Sequence, residues 1–95
     1  MKTGIEIIAD ERKRQIESEG WSAEHDSEHT DESIACAASC YALPQRHRPM
    51  NGALPFGWKW ARSWWKPTPE NRIKELAKAG ALIAAEIDRI QNLDK

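Results

Sequence analysis

Ile73, Leu76, Gly80, Ile83, Ile87 and Ile90 follow one another at spacings of three and four residues. Only an α-helix brings positions spaced in this way onto one side, whereas a β-strand would scatter them over both faces. The pattern predicts a long helix over about residues 69–93, with a coiled-coil-like seam. Thr68-Pro69-Glu70 reads as its start, with a hydroxyl cap, proline at the first position and an acid at the positive end of the dipole. Ala77, Gly80, Ala81 and Ala84 leave room for another helix to approach closely.

The same reasoning yields two more helices. Thr3 and Glu6 have capping-box spacing, Ile5, Ile8, Ala9 and Ile16 follow as an apolar stripe, and Gly20 is placed to end the turn. This predicts a helix over about residues 4–19. The acidic stretch "SAEHDSEHTDE" reads as a loop, after which Thr30 or Asp31 caps a small-residue helix over about residues 31–43 that Pro44 ends. The expected fold is all-α: residues 1–95 form one domain, a three-helix bundle around an isoleucine-rich core. A Trp/Pro-rich connection, 44–67, joins its last two helices. So short a chain leaves apolar helix surface uncovered, so a homo-oligomer with the third helix as its seam is expected.

Charge is unevenly distributed. Residues 1–35 carry ten acids against four bases, a net of −6, and residues 36–95 five acids against ten bases, a net of +5. The overall charge of −1 argues against a nucleic-acid binder, which would be strongly basic. Cys36 and Cys40, four apart on a helix, are poorly placed for a disulfide and read as reduced packing residues, as in a cytoplasmic protein. The charged N-terminus does not resemble a secretory leader, and the longest near-apolar run, Ala79 to Ala85, is too short to cross a membrane.

No acid lies between Pro44 and Pro69, yet this stretch holds four of the five tryptophans. Trp58, Trp60, Trp64 and Trp65 alternate with Lys59, Arg62 and Lys66, and Arg46 and Arg48 precede them. Indoles stack on flat rings and cations hold phosphate, so these nine residues are the candidate site for a nucleotide-like anion. If the segment is helical, Trp60 and Trp64 share one face and Trp58 and Trp65 another, so one pair can join the core while the other meets a ligand. A second candidate is His25, Asp26 and His29, whose spacing on a helix would suit a divalent metal. A third is a set of helix carboxylates that could hold Mg²⁺.

The segments "ADERKRQIESEGWSAEHDSEH", "ACAASCYAL", "WWKP" and "KAGALIAAEIDRI", in that order, resemble a family of small phage and prophage proteins. The resemblance covers nearly the whole chain. It implies a cytoplasmic role in an infected or lysogenic bacterium without implying an activity. The chain departs from the family's pattern at Ser27, where a second acid is expected, and at Glu32-Ser33, where a Gly-Glu pair is expected. A looser similarity is to the MazG-like all-α nucleotide pyrophosphohydrolases, which use E-x-x-E and E-x-x-D motifs; only Glu28 and Asp31 have the second spacing here.

The leading expectation is a phage-type protein that binds a nucleotide-like anion without turning it over, as a sponge for a host signalling nucleotide. One rival is a Mg²⁺-dependent pyrophosphohydrolase using Glu6, Asp10, Glu11, Glu28, Asp31 and Glu32. The other is an inhibitor that binds a host protein through its aromatic and arginine residues.

Overall fold

The computed structural model describes residues 1–20 and 31–93, and over these the chain is helical without strands. Helix α1 is Gly4–Glu19, α2 is Ser33–Ala42 and α3 is Arg72–Leu93. Short 3₁₀ turns at Gln45–His47 and Arg62–Trp64 break the connection between α2 and α3. The hub is α3, on which both α1 and α2 pack.

The start of α1 is the capping box that the sequence predicts. Thr3 Oγ1 accepts the Glu6 N–H at 3.3 Å, and Glu6 Oε1 accepts the Thr3 N–H at 2.9 Å. Those bonds, the backbone one foremost, hold the Glu6 carboxyl below the usual glutamate range. Gly20, in the left-handed region at φ 70°, closes the helix by donating to Gln15 O. At the head of α2, Asp31 Oδ1 accepts the Ser33 N–H at 3.1 Å. Glu32 between them has φ 62°, a conformation that favours glycine. Glu32→Gly is therefore expected to stabilise the protein by about 0.5–1 kcal/mol, read as a higher urea midpoint with an unchanged slope.

The start of α3 differs from expectation. The helix begins three residues later, at Arg72, and Asn71 caps it by accepting the Lys74 N–H at 3.2 Å. Thr68 and Pro69 belong to a preceding turn, where Asn71 N–H donates to Thr68 O at 2.8 Å. The Thr68 N–H is drawn to Glu75 Oε2 at 3.0 Å, which fixes this turn against the helix.

The expected isoleucine-rich core is also corrected. The buried cluster is Ile34, Ala37, Ala38, Tyr41, Ala79, Leu82 and Ala85, with Trp58, Trp60 and Trp65 packed on it. Ile73, Leu76, Ile83, Ile87 and Ile90 are each 46–64 % exposed. The face of α3 turned inward is its alanine-rich one, because small side chains let two helices sit close at once. Gly80 marks the closest approach of α1: a Cβ there would lie 2.5 Å from Ile8 Cδ1. Charged residues on the inward face are paired, Glu86 with Arg89 at 2.6 Å and Glu75 with Arg48 at 2.8 Å and Arg72 at 3.0 Å. Cys36 and Cys40 are free thiols, and burial raises the Cys40 thiol above its usual range. Among the described residues, no helix is long and apolar enough to cross a membrane.

Candidate ligand-binding site

The connection between α2 and α3 is organised around Tyr41, near the end of α2. Its ring lies 4.8 Å from Trp65 and 5.8 Å from Trp58, and Trp58 in turn lies 5.4 Å from Trp60 and 5.1 Å from Trp65. The Tyr41 hydroxyl accepts the Lys66 N–H at 3.0 Å and donates to Trp64 O at 3.4 Å, which pins the Trp-rich strand of the loop. Burial raises the Tyr41 hydroxyl above its usual range. The indoles are not grouped by helical spacing, because among the residues that carry them only Arg62–Trp64 forms a helical turn, and it is 3₁₀. Trp58, Trp60 and Trp65 go to the core together, and Trp64 remains 45 % exposed.

A second knot ties the loop to both helices. Glu75, 1 % exposed, accepts from Arg48 Nη1, from Arg72 Nη1 and from the Thr68 N–H. Arg48 and Arg72 also donate to Tyr41 O, and Arg72 reaches Ala42 O, so the two guanidiniums satisfy carbonyls at the end of α2. Burial works to raise the Glu75 carboxyl, but the bonds from Arg48, Arg72 and Thr68 outweigh it and hold it below the usual range. Two guanidiniums against one carboxylate leave a net positive charge here.

That charge borders a cleft enclosing about 1100 Å³ of space open to solvent. Arg46, Arg48 and Trp65 line it with Met50 and prolines such as Pro49 and Pro67, and among the described residues no carboxylate does. The guanidinium of Arg48 lies 5.2 Å from the centre of the Trp65 ring. Asn51 (φ 65°) and Gly52 (φ 73°) form a left-handed tip at the rim. Arg62 Nη1 braces that tip by donating to Gly52 O at 2.7 Å. Arg46 is exposed and makes no ion pair among the described residues.

The remaining candidates lie elsewhere. Lys59 donates to Asp31 O at 3.1 Å. Trp58, Trp60, Trp64 and Lys66 face a narrower cleft of about 360 Å³ beside α1, which also holds Glu11, Arg14, Gln15, Glu19 and Lys78. Arg14, Gln15, Glu19 and Lys78 are not among the candidates read from sequence, and Glu11 is there only as a metal carboxylate, since only the packing of α1 against the loop brings them to this cleft. Arg14 bridges Glu11 at 2.7 Å and Glu19 at 3.3 Å, so much of the charge in this cleft is spent internally. Burial lowers the Lys78 ammonium below the usual lysine range. His25, Asp26 and His29 lie outside the described residues. Of the proposed carboxylates, Asp10 pairs with Lys2, Glu11 with Arg14, and Asp31 with the Ser33 amide. No family model, curated protein or solved structure matches this chain.

Proposed function

We propose that the protein binds a nucleotide-like anion, without turning it over, in the cleft lined by Arg46, Arg48 and Trp65. The supporting observation is a cleft of ligand size with apolar walls, two guanidiniums and, among the described residues, no lining carboxylate. Trp65, Met50 and the prolines would face the flat, apolar part of the ligand, and Arg46 would meet its phosphate, with the buried Arg48 guanidinium adding positive charge behind it. Four prolines line this cleft, so little backbone freedom is left to lose on binding. In the phage setting implied by the resemblance, such a protein would sequester a signalling nucleotide in the cytoplasm of the infected bacterium, and it would do so as a homo-oligomer.

Binding is preferred to Mg²⁺-dependent hydrolysis because four of the five described carboxylates of that reading, Glu6, Asp10, Glu11 and Asp31, already serve caps and ion pairs, and Glu32 is the exception. It is preferred to docking on a host protein because Trp58 and Trp60 are turned onto the protein's own core, and of the indoles in this segment Trp64 alone is exposed.

Arg46→Glu tests the assignment. Arg46 is exposed and makes no ion pair among the described residues, so the variant is expected to keep the parent's melting temperature. Its affinity for a bound nucleotide is expected to fall at least tenfold in calorimetry at 0.1 M salt, about the loss of one charge-assisted bond. Lys59→Glu, away from the cleft, should bind as the parent does. Equal loss in both variants would place the ligand elsewhere.

A further inference from the structure

The most unusual surface of the protein is the outward face of α3. Ile73, Leu76, Ile83, Ile87 and Ile90 are about half exposed on one line, roughly 25 Å long at the helical rise. Leu93 continues it at 60 % exposed. On one flank Ala77, Ala84 and Gln91 carry no charge, and on the other Arg72 turns back to Glu75 and Glu86 pairs with Arg89. At the middle, Gly80 contributes no side chain and Ile8 from α1 occupies the space beside it. Among the described residues, α2 packs on the opposite face of α3, which carries Ala79, Leu82 and Ala85, and α1 reaches this line at Gly80 through Ile8, leaving its isoleucines and leucine about half exposed.

We infer that this stripe pairs with the same stripe of a second copy, with the two α3 helices antiparallel across a twofold axis. The inference deepens the oligomeric part of the proposed function and rests on it, but it is independent of the ligand. Two observations select a second copy as the occupant. The first is self-complementarity. Turning the stripe end for end sets Ile73 opposite Ile90, Leu76 opposite Ile87 and Gly80 opposite Ile83, with Leu93 beyond the paired span. A parallel pair would instead set Gly80 against Gly80. In the antiparallel pair, Ile83 of one copy meets the Gly80–Ile8 junction of the other, so a large side chain faces a small one in the central layer. The second observation is area. The five aliphatic residues expose on the order of 500 Å² per copy, so pairing removes about 1,000 Å², near the threshold for a specific interface. A single-copy surface rarely leaves so continuous an apolar band in water.

The test uses the whole native chain. Its mass in solution at tens of micromolar is expected to be twice the 10.8 kDa of the chain. Ile87→Glu should halve that mass while leaving the helical circular dichroism unchanged, since Ile87 is 52 % exposed in the protomer. Orientation is read by disulfide trapping. An oxidised mixture of Ile73→Cys and Ile90→Cys chains should form a mixed disulfide-linked dimer, and neither variant alone should cross-link beyond the native background. A native protein that is monomeric at these concentrations would overturn the pairing and the oligomer with it. A dimer in which each variant cross-links to itself would overturn the antiparallel geometry alone. A dimer that withstands Ile87→Glu would place the interface on another face.

Discussion

Glu75→Gln is expected to lower the stability of the protein by about 3–5 kcal/mol, because it breaks a buried ion pair and leaves two guanidiniums against a neutral side chain. A domain of this size holds only about 5–15 kcal/mol in total, so the variant should be partly unfolded at 37 °C. The effect is large because one carboxylate joins three elements. It holds Arg48 from the loop, Arg72 from the first turn of α3 and the Thr68 amide from the turn before it. Through those arginines it also holds the carbonyls that end α2. Urea denaturation followed by circular dichroism would measure the loss. The same residue sets an acid limit. Its folded pKa lies below the usual glutamate value of 4.5. A depressed carboxylate adds stability that is fully present above the unfolded value and is lost as pH falls through the folded one. Stability should therefore decline below about pH 4.5, and Glu75→Gln should flatten that decline. An equally steep decline in the variant would assign it to other carboxylates.

Tyr41→Ala is expected to cost about 3–5 kcal/mol, the range for removing a buried ring. Tyr41 is 5 % exposed and touches both Trp58 and Trp65. Its loss would take away the surface on which the indole cluster is assembled. Tyr41→Phe keeps the ring and removes the hydroxyl that holds the Lys66 amide and the Trp64 carbonyl. It should cost only about 1–2 kcal/mol. Tryptophan emission separates the two changes: it should shift to the red in Tyr41→Ala and stay near the parent's in Tyr41→Phe. An unshifted spectrum in Tyr41→Ala would mean that the indoles hold together without it.

The helices were legible in the sequence where local chemistry decides them. The Thr3–Glu6 box and Gly20 bound α1 because caps are read from a few neighbouring residues. The start of α3 was misplaced because Thr68-Pro69 is a good local signal, yet Glu75 takes the Thr68 amide. The orientation of α3 was not legible for a related reason. Its inward face carries Glu75, Glu86 and Arg89, which periodicity assigns to solvent until their partners are known. The stripe itself was found, but a stripe has the same pattern whether it meets its own chain or another. In the Trp-rich segment the chain is irregular, so no period says which indoles turn inward. Arg48 stands out from Lys59 and Arg62 only through Glu75, 27 residues away, a pairing no local pattern encodes.

The central claim is that the cleft of Arg46, Arg48 and Trp65 holds a nucleotide-like anion and leaves it intact. Isothermal titration of the native protein with linear and cyclic nucleotides, with and without Mg²⁺, tests it most directly, provided the ligand is recovered and identified afterwards. The account predicts saturable binding of at least one nucleotide, weakened by Arg46→Glu, with the nucleotide recovered unchanged. No binding to any of them, or recovery of a cleaved product, would contradict it.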